Sequence, residues 1–340
     1  MPLHAQEDGS PPEVSLGQGS PAKALKRPLP RVPAEYGGYE GWVVVSFVVK
    51  TDGSVADVIV EDSTAREFEE LVLPAVQKWK YEPATIGGRP VEQSVTGVPL
   101  LFTLDRPRGL SRQFIQLYQE QRRKLEADEI EAAQRRIAEL TQSADISLRE
   151  RAYVAVLDAA LRQKKGEEAR ELRSLERATI DGGSQLEKDA YAAALTSMFR
   201  LRIQREELAR ALATFEDLAK LQTPSGALVS LAQRARAFIS SDVVIGRKGR
   251  IATQSEIEAD DASRTWSHAL VRREIAFQGV QGSLETIDFR CSGHRVTDAI
   301  TEEKAWKIPS SWGPCVVYVS GQPGTTFTLV EYPAESPTRG

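Results

Sequence analysis

The segment from Trp42 to Val60 is typical of a β-hairpin. Trp42 to Lys50 is a run of β-branched and aromatic residues, which favours an extended strand. Asp52-Gly53 supplies a tight turn, and Val55 to Val60 returns as a second strand. A hairpin of this kind needs a further element to cover its apolar face.

The next apolar residues predict a helix that covers the sheet. They recur at steps of three and four and therefore lie along one helical face. They are Phe68, Leu71, Val72, Ala75, Val76 and Trp79. Ser63 or Thr64 is the predicted N-cap, with Glu67 completing a capping box three residues after Thr64. Pro74 lies inside the pattern, so the helix either kinks there or begins closer to this proline.

A third long extended segment, Val91 to Leu104, follows the Gly87-Gly88 turn. The predicted order of elements is therefore strand, strand, helix, strand.

Four motifs in this region resemble the C-terminal domain of the TonB family, the periplasmic energy transducers of Gram-negative outer-membrane transport. They are Val32-Pro33-Ala34, Glu40-Gly41-Trp42-Val43, Asp52-Gly53-Ser54-Val55 and Trp79-Lys80-Tyr81-Glu82-Pro83-Ala84. They occur in the family's order and at its spacing, between about Pro30 and Leu104. The residues that carry the resemblance are Pro33, Gly41, Asp52, Gly53, Trp79, Tyr81 and Pro83.

The resemblance implies that the last strand, Val91 to Leu104, is an exposed sheet edge that pairs with a short extended segment of a partner. In such strand addition, main-chain hydrogen bonds give affinity and alternate side chains give selectivity. The predicted peptide-binding residues are Val91, Gln93, Val95, Gly97, Pro99 and Leu101. The predicted partner is a protein or peptide, either an outer-membrane receptor or a periplasmic protein. The alternative is a structural copy of the fold that has lost its partner.

The chain also departs from the family pattern. Val32 stands where the family has an aromatic residue, and residues 105 to 340 follow the domain at which a transducer would end. No window approaches the roughly 20 consecutive apolar residues that a membrane-spanning helix requires. We therefore expect a soluble relative of the transducers, without their membrane anchor.

Residues 1 to 29 are predicted to be a flexible lead-in, because residues 7 to 30 are rich in Pro, Gly and Ser. Met1 to Gln6 is either the end of a trimmed secretion signal, with Ala5 at the cleavage position, or a plain disordered terminus. The predicted location is the periplasm of a Gram-negative bacterium, with export by a signal peptide mostly absent from this sequence.

Residues 30 to 105 form the predicted TonB-like domain, and residues 110 to 240 a predicted helical domain of about six helices. Arg151 to Leu161 resembles Asp189 to Phe199 at a spacing of 38 residues. A second helical segment follows each, at Glu167 to Arg177 and at Glu206 to Lys220. This pattern indicates duplicated helical hairpins, similar in kind to tetratricopeptide arrays. Plain helical packing is the alternative.

Residues 241 to 335 form a predicted β-rich domain, either a small sandwich or a curved sheet. The strand-like segments are Trp266 to Ile275, Gly282 to Cys291, Pro314 to Ser320 and Thr325 to Tyr332. The domain's aromatic residues are predicted to be core rather than a ligand surface. They are Phe277, Phe289, Trp306, Trp312, Tyr318 and Phe327.

The chain has two cysteines, Cys291 and Cys315, which in an exported protein predict a disulfide. His294 lies three residues after Cys291 and suggests a metal site as the alternative. Three such ligands leave a structural zinc site one ligand short, so no metal is predicted.

No catalytic constellation is evident in the sequence. The three histidines, His4, His268 and His294, do not converge with a nucleophile and an orienting acid. Asp260-Asp261 is explained by a turn or a helix cap, and Gly246 to Gly249 lacks the Lys-Ser/Thr ending of a phosphate loop. We therefore predict neither an enzyme nor a cofactor. The net charge of -4 gives no reason to expect a nucleic acid, and the oligomeric state stays open.

The predicted fold is thus an α+β multi-domain protein, with a TonB-like sheet and one helix, a central array of helical hairpins and a C-terminal β-rich sandwich. The predicted function is a periplasmic protein-interaction module that binds an extended peptide by β-strand addition, linked to outer-membrane transport. One alternative is a structural or assembly scaffold that uses the helical array. The other is a periplasmic enzyme with a polar pocket at the junction of the helical and C-terminal domains.

Overall fold

The computed structural model describes residues 19–33, 36, 38–104, 109–143, 145–240, 250–257, 265–292, 294–301 and 304–333. They form an N-terminal module (residues 19–104), a helical module (residues 109–240) and a C-terminal module (residues 250–333). This arrangement confirms the predicted α+β fold class. Among these residues, no helix combines the length and the apolar character needed to cross a membrane.

The described residues of the N-terminal module form eight strands and one helix. In chain order they are β1 (Gly19–Ser20), β2 (Lys23–Lys26), β3 (Gly41–Val49), β4 (Val55–Ser63), α1 (Arg66–Val76), β5 (Lys80–Glu82), β6 (Ala84–Ile86), β7 (Arg89–Val91) and β8 (Gln93–Phe102). Its central sheet has the strand order β4-β3-β8, and both ladders are antiparallel. Smaller sheets join β2 to β5 and order the other short strands as β1-β6-β7.

Strand β3 is buried along its whole length because both faces of the central sheet are covered. Side chains alternate along a strand, so every second residue of β3 faces α1. These residues join the α1 residues Phe68, Val72 and Val76, and Trp79 just after the helix, in one apolar cluster. The intervening residues Trp42 and Val44 face the helical module.

Helix α1 begins later than the predicted N-cap. Its N-cap is Ala65, which makes no side-chain capping bond, so the predicted capping box is absent. Thr64 Oγ1 instead accepts a hydrogen bond from the backbone N–H of Trp42 at 3.0 Å, which ties the end of β4 to β3. Pro74 lies in the last turn, where few backbone bonds remain for it to disrupt.

The described part of the predicted flexible lead-in forms β-structure. β1 pairs with β6, and β2 pairs with β5. Trp79 Nε1 donates a hydrogen bond to the Pro28 carbonyl at 3.0 Å, and the Arg27 guanidinium lies 4.3 Å from the centre of the Trp79 ring. Residues 19–29 therefore cover one of the motif residues. The predicted signal remnant, Met1 to Gln6, lies outside the described residues.

The helical module contains seven helices among the described residues. They are α2 (Arg112–Glu126), α3 (Ile130–Gln142), α4 (Leu148–Lys165), α5 (Glu168–Ala178), α6 (Lys188–Gln204), α7 (Leu208–Leu221) and α8 (Gly226–Ser240). Ser147 and Glu150 form a capping box at the start of α4, and Gly166 in the left-handed conformation ends it. The predicted hairpins correspond to α4 with α5 and α6 with α7, each pair joined by a short turn.

The C-terminal module is a sandwich of two four-stranded antiparallel sheets that share one apolar core. Its strands are β9 (Ile251–Glu256), β10 (Thr265–Ala269), β11 (Glu274–Gln281), β12 (Leu284–Cys291), β13 (Arg295–Ala299), β14 (Ala305–Lys307), β15 (Cys315–Gly321) and β16 (Thr326–Tyr332). One sheet has the order β10-β15-β12-β13, and the other has the order β14-β11-β16-β9.

The predicted single strand from Trp266 to Ile275 is instead two strands in different sheets, β10 and β11. The buried Glu331 carboxylate holds the bend between them, because it accepts hydrogen bonds from the backbone N–H groups of Val271 and Arg272, each at 2.8 Å. A carboxylate some 60 residues away in the chain thus ends the strand, and local sequence does not reveal it.

Cys291 and Cys315 form the predicted disulfide, which joins directly opposed positions of β12 and β15. Most of the C-terminal aromatic residues belong to the core, as predicted. Phe277, Phe289, Trp306 and Phe327 are buried in the cluster between the sheets, and Trp312 packs at its margin. Tyr318 is also buried, but it faces the N-terminal module.

Candidate functional site

Strand β8 lies at one edge of the central sheet, because the sheet order is β4-β3-β8. Among the described residues, no strand pairs with its other side. Five of the six predicted peptide-binding residues lie on this strand; they are Gln93, Val95, Gly97, Pro99 and Leu101. Val91 instead ends β7 and pairs with Ala84, so the predicted continuous strand is interrupted at Glu92.

Pro99 shows which backbone groups of β8 point away from β3. It lies opposite Val44 in the β3–β8 ladder. Because proline has no N–H group, this pair cannot exchange the two bonds of a hydrogen-bonded pair. The nitrogen of Pro99 is therefore directed away from β3. Backbone direction alternates along a strand, so the N–H group of Leu101 also points to the open side.

The side chains of β8 divide between two surroundings. Val95, Val98, Leu100 and Phe102 belong to the apolar core beneath α1. Leu101 packs instead against the cluster that joins the sheet to the helical module. The side chains of β8 therefore fix the strand in place, and its open edge presents mainly backbone groups.

A bulge interrupts the edge at Thr96 and Gly97, where two residues of β8 lie opposite one residue of β3. Gly97 adopts a φ of +66° and donates its N–H to Ser46 Oγ at 2.9 Å. Strand β12 of the C-terminal module approaches β8, and Thr96 and Gly97 line a cavity that the C-terminal module also borders. The bulge thus divides the edge into a segment before Thr96 and a segment after Gly97.

The motif residues hold the sheet and do not touch its open edge. A Cβ atom on Gly41 would lie 2.1 Å from Thr64 Oγ1, so only glycine fits between β3 and α1. Asp52 Oδ1 accepts hydrogen bonds from the Ser54 hydroxyl and backbone N–H, and these bonds lower the pKa of Asp52. Tyr81 donates its backbone N–H to the Gly53 carbonyl at 2.9 Å, which closes the hairpin turn onto β5.

Trp79 and Tyr81 contact the ring of Phe47 on β3, with ring centroids 5.6 and 5.7 Å apart. Pro83 lies between β5 and β6, and Pro33 accepts a backbone hydrogen bond from Tyr36 at 3.0 Å. These residues are structural in the described part of the chain.

The face of the sheet opposite α1 is held by charged contacts to the helical module, which the sequence did not reveal. Glu40 is buried, and its carboxylate accepts hydrogen bonds from the backbone N–H groups of Leu104 at 3.2 Å and of Leu148 at 3.1 Å. Leu148 is the first residue of α4, and a carboxylate is favourable at a helix N-terminus. Arg151 Nε donates to the Glu40 carbonyl at 3.1 Å.

A second contact joins β4 to α5. Asp62 Oδ1 accepts a hydrogen bond from Arg177 Nη2 at 2.7 Å, and its Oδ2 accepts from Arg177 Nε at 3.2 Å and from Trp42 Nε1 at 2.9 Å. This fork geometry is the strong form of an arginine–carboxylate pair. The four motifs alone give no indication that the sheet is covered in this way.

The C-terminal module contacts β4 at a second bulge. Asp57 adopts a φ of +49°, and its carbonyl accepts a hydrogen bond from Arg290 Nη2 at 3.1 Å. Its carboxylate also pairs with Arg295. Tyr318 donates its hydroxyl to Glu61 Oε1 at 2.7 Å, and burial raises the pKa of Tyr318 well above its ordinary value.

A cavity of about 600 Å³ lies where the three modules meet. Its walls are the outer face of the central sheet, helices α5 to α7 and the outer face of the β10–β15 pair. Five arginines line it: Arg173, Arg177, Arg202, Arg205 and Arg210. Five carboxylates balance them: Glu61, Asp62, Glu176, Glu207 and Glu256. The enzyme alternative placed a pocket at this junction, but no described histidine or cysteine lines the cavity.

The charges of the cavity wall are partly paired. Arg202 Nη2 donates to Glu176 Oε1 at 2.7 Å, and Arg205 Nε donates to Glu207 Oε1 at 3.1 Å. Burial works to raise the pKa of Glu176, but Arg202 and Arg210 more than offset it, and the pKa is lowered.

The two described histidines, His268 and His294, both lie in the C-terminal module. His268 is buried, and its Nε2 lies 3.0 Å from Glu331 Oε1 in the contact that joins the two sheets. His294 stacks on Trp312 near the disulfide. Within the described residues, no group of three or more His, Cys, Asp or Glu side chains is arranged to hold a metal ion. Asp260-Asp261 and Gly246 to Gly249 lie outside the described residues.

Comparison with known proteins bears on the N-terminal module. Residues 32–104 match the family described as the Gram-negative bacterial TonB protein C-terminal. Protein TonB of Pseudomonas aeruginosa is 32% identical to this chain over 110 residues, which are 32% of this chain and 32% of that protein. The chain thus spans about a third of that relative's length. The solution NMR structure of the Pseudomonas aeruginosa TonB CTD shares 33% identity, covering 26% of this chain and 90% of that one, with a TM-score of 0.23.

Proposed function

We propose that this protein, whose residues 32–104 match the TonB C-terminal family, binds an extended segment of a partner protein along strand β8, in the periplasm of a Gram-negative bacterium. The partner is an outer-membrane receptor or a periplasmic protein, and the interaction serves outer-membrane transport. The observation that carries the proposal is the open side of β8, with which no described strand pairs.

The bonding capacity of this edge is greatest after the bulge. Leu101 offers an N–H group directed away from β3, whereas Pro99 offers only a carbonyl on the same side. Edge prolines commonly protect a sheet against indiscriminate pairing. A partner strand would therefore pair with a short stretch of the edge, and its side chains would supply the selectivity.

The remainder of the chain supports the edge in this proposal. The helical module covers the second face of the sheet through Glu40 and Asp62, and the C-terminal module meets it at Asp57 and Glu61. A rigid sheet loses less conformational entropy when a strand is added to it.

Replacing Leu101 by proline tests this proposal. Leu101→Pro removes one outward N–H group and leaves the ladder to β3 intact, whereas Leu101→Ala removes the same side chain but keeps the N–H group. We expect Leu101→Pro to weaken binding of a cognate peptide about tenfold or more, and Leu101→Ala to bind nearly as well as the wild type. The probes are fluorescent peptides from the periplasmic N-terminal segments of the host's outer-membrane receptors and from its periplasmic proteins, measured by fluorescence anisotropy.

Equal thermal stability of the two variants would show that the difference arises at the edge. Wild-type affinity of Leu101→Pro, or failure of every peptide to bind the wild-type protein, would count against strand addition.

A further inference from the structure

The cavity between the three modules has the dimensions of a small-molecule site. Its volume of about 600 Å³ lies within the range of roughly 300–1,000 Å³ that is usual for ligand pockets. Leu172, Met198 and Trp266 contribute apolar wall, and the arginines lie beside them. A cavity with apolar walls and a few convergent polar groups is the usual form of a ligand site.

The Arg210 guanidinium has more N–H donors than its hydrogen bonds use. Arg210 Nη2 donates to Ser267 Oγ at 2.8 Å, which is the one hydrogen bond of this guanidinium among the described residues. A guanidinium carries five N–H donors. A ligand that pairs with this guanidinium must supply hydrogen-bond acceptors.

The surrounding carboxylates limit the charge of that ligand. Burial works to lower the pKa of Arg210, but Glu207, Glu176 and Glu61 more than offset it, and the pKa is raised. Each of the three already accepts a hydrogen bond from another side chain, namely Arg205, Arg202 and Tyr318 respectively. Because the lining is balanced in charge, a polyanion would meet repulsion that a single carboxylate avoids.

We propose that this cavity binds a small organic monocarboxylate. Its carboxylate pairs with Arg210, and its apolar body lies against Leu172, Met198 and Trp266. Arginine suits this role because its planar fork can donate two parallel hydrogen bonds to one carboxylate. The site is separate from strand addition, since its ligand makes no pairing with β8.

The test uses the full chain with hexanoate and benzoate as probes, and with hexanamide and benzamide as uncharged counterparts of the same shape. Titration calorimetry measures the affinity, and tryptophan fluorescence reports occupancy because Trp266 lines the cavity. We expect at least one carboxylate to bind and its amide to bind about tenfold or more weakly. Binding of the amides as tight as that of the carboxylates, or no binding of either carboxylate, would overturn the proposal.

Substitutions then locate the site. Arg210→Gln should weaken carboxylate binding about tenfold or more, whereas Arg200→Gln, on the exposed face of α6, should leave it unchanged. If Arg210→Gln fails to fold, Ala209→Phe fills the cavity while retaining every charge and should abolish binding. Unchanged affinity in Arg210→Gln, or in a folded Ala209→Phe, places the ligand elsewhere and contradicts the proposal.

Discussion

Gly53 and Gly87 adopt similar backbone conformations in very different surroundings. Their φ angles are +76° and +57°, a region that side chains with a Cβ atom rarely enter. At Gly53 a Cβ atom would lie 2.0 Å from the Tyr81 carbonyl oxygen, whereas at Gly87 nothing lies within 4 Å. Residue 53 thus favours glycine for two reasons, the backbone conformation and the close carbonyl oxygen, whereas residue 87 favours it for the backbone conformation alone.

We expect Gly53→Ala to destabilise the protein more than Gly87→Ala. The second substitution costs about 1–2 kcal/mol of unfolding free energy from the left-handed conformation alone. The first adds a clash with backbone that cannot move freely, for a total of about 2–5 kcal/mol. Urea unfolding followed by circular dichroism measures both. Equal losses would mean that the hairpin turn relaxes to admit the methyl group.

At the scale of elements, a disulfide links the paired strands β12 and β15 of the C-terminal module. The two strands are paired from Leu284 to Cys291, and the disulfide closes the end of this ladder. Cys291 and Cys315 are 24 residues apart, so the bond constrains a loop of moderate length in the unfolded chain. Such bonds persist in oxidising compartments, which fits the proposed periplasmic location.

Replacing both cysteines by alanine should lower the unfolding free energy by about 3 kcal/mol. Reduction of the wild-type protein should produce a loss of similar size, and the double variant should not respond to reductant. Thermal unfolding with and without dithiothreitol makes the comparison. Two free thiols in denatured, unreduced wild-type protein would contradict it.

At the scale of the whole molecule, charged contacts join the modules. Asp62 and Arg177 are 115 residues apart in sequence, and Tyr318 and Glu61 are 257 apart. The apolar contact between the sheet and the helical module has only three buried residues, Trp42, Val44 and Leu148, among those described. The relative positions of the modules therefore depend on hydrogen-bonded ion pairs as well as on apolar burial.

A double-mutant cycle of Asp62→Asn and Arg177→Gln should give a coupling energy of about 1 kcal/mol, because the pair is partly buried and doubly hydrogen-bonded. The matched cycle of Arg66→Gln and Glu70→Gln concerns an exposed pair within α1 and should give at most about 0.5 kcal/mol. Both are measured by urea unfolding. Similar coupling in the two cycles would indicate that the Asp62–Arg177 contact does not hold the modules together.

The family resemblance could be predicted from sequence because its motifs are local. Gly41 and Gly53 mark positions where backbone and side chains approach too closely for a Cβ atom, and the apolar residues of α1 recur with the helical period. The predicted N-cap was wrong for an equally physical reason. The Thr64 hydroxyl bonds to Trp42 of β3 and does not cap the helix. Trp42 lies 22 residues earlier in the chain, so the local sequence does not show this contact.

The sequence by itself determined the β3–β4 hairpin, the paired helices α4–α5 and α6–α7, and the disulfide, because turns, periodicity and cysteine pairing depend on residue types at short spacing. Only the tertiary structure decided that Glu40 accepts the first N–H group of α4 and that Arg210 lies in a cavity between modules. These contacts join residues more than 50 positions apart. Their formation depends on how folded modules fit together, and no local pattern of residues encodes that fit.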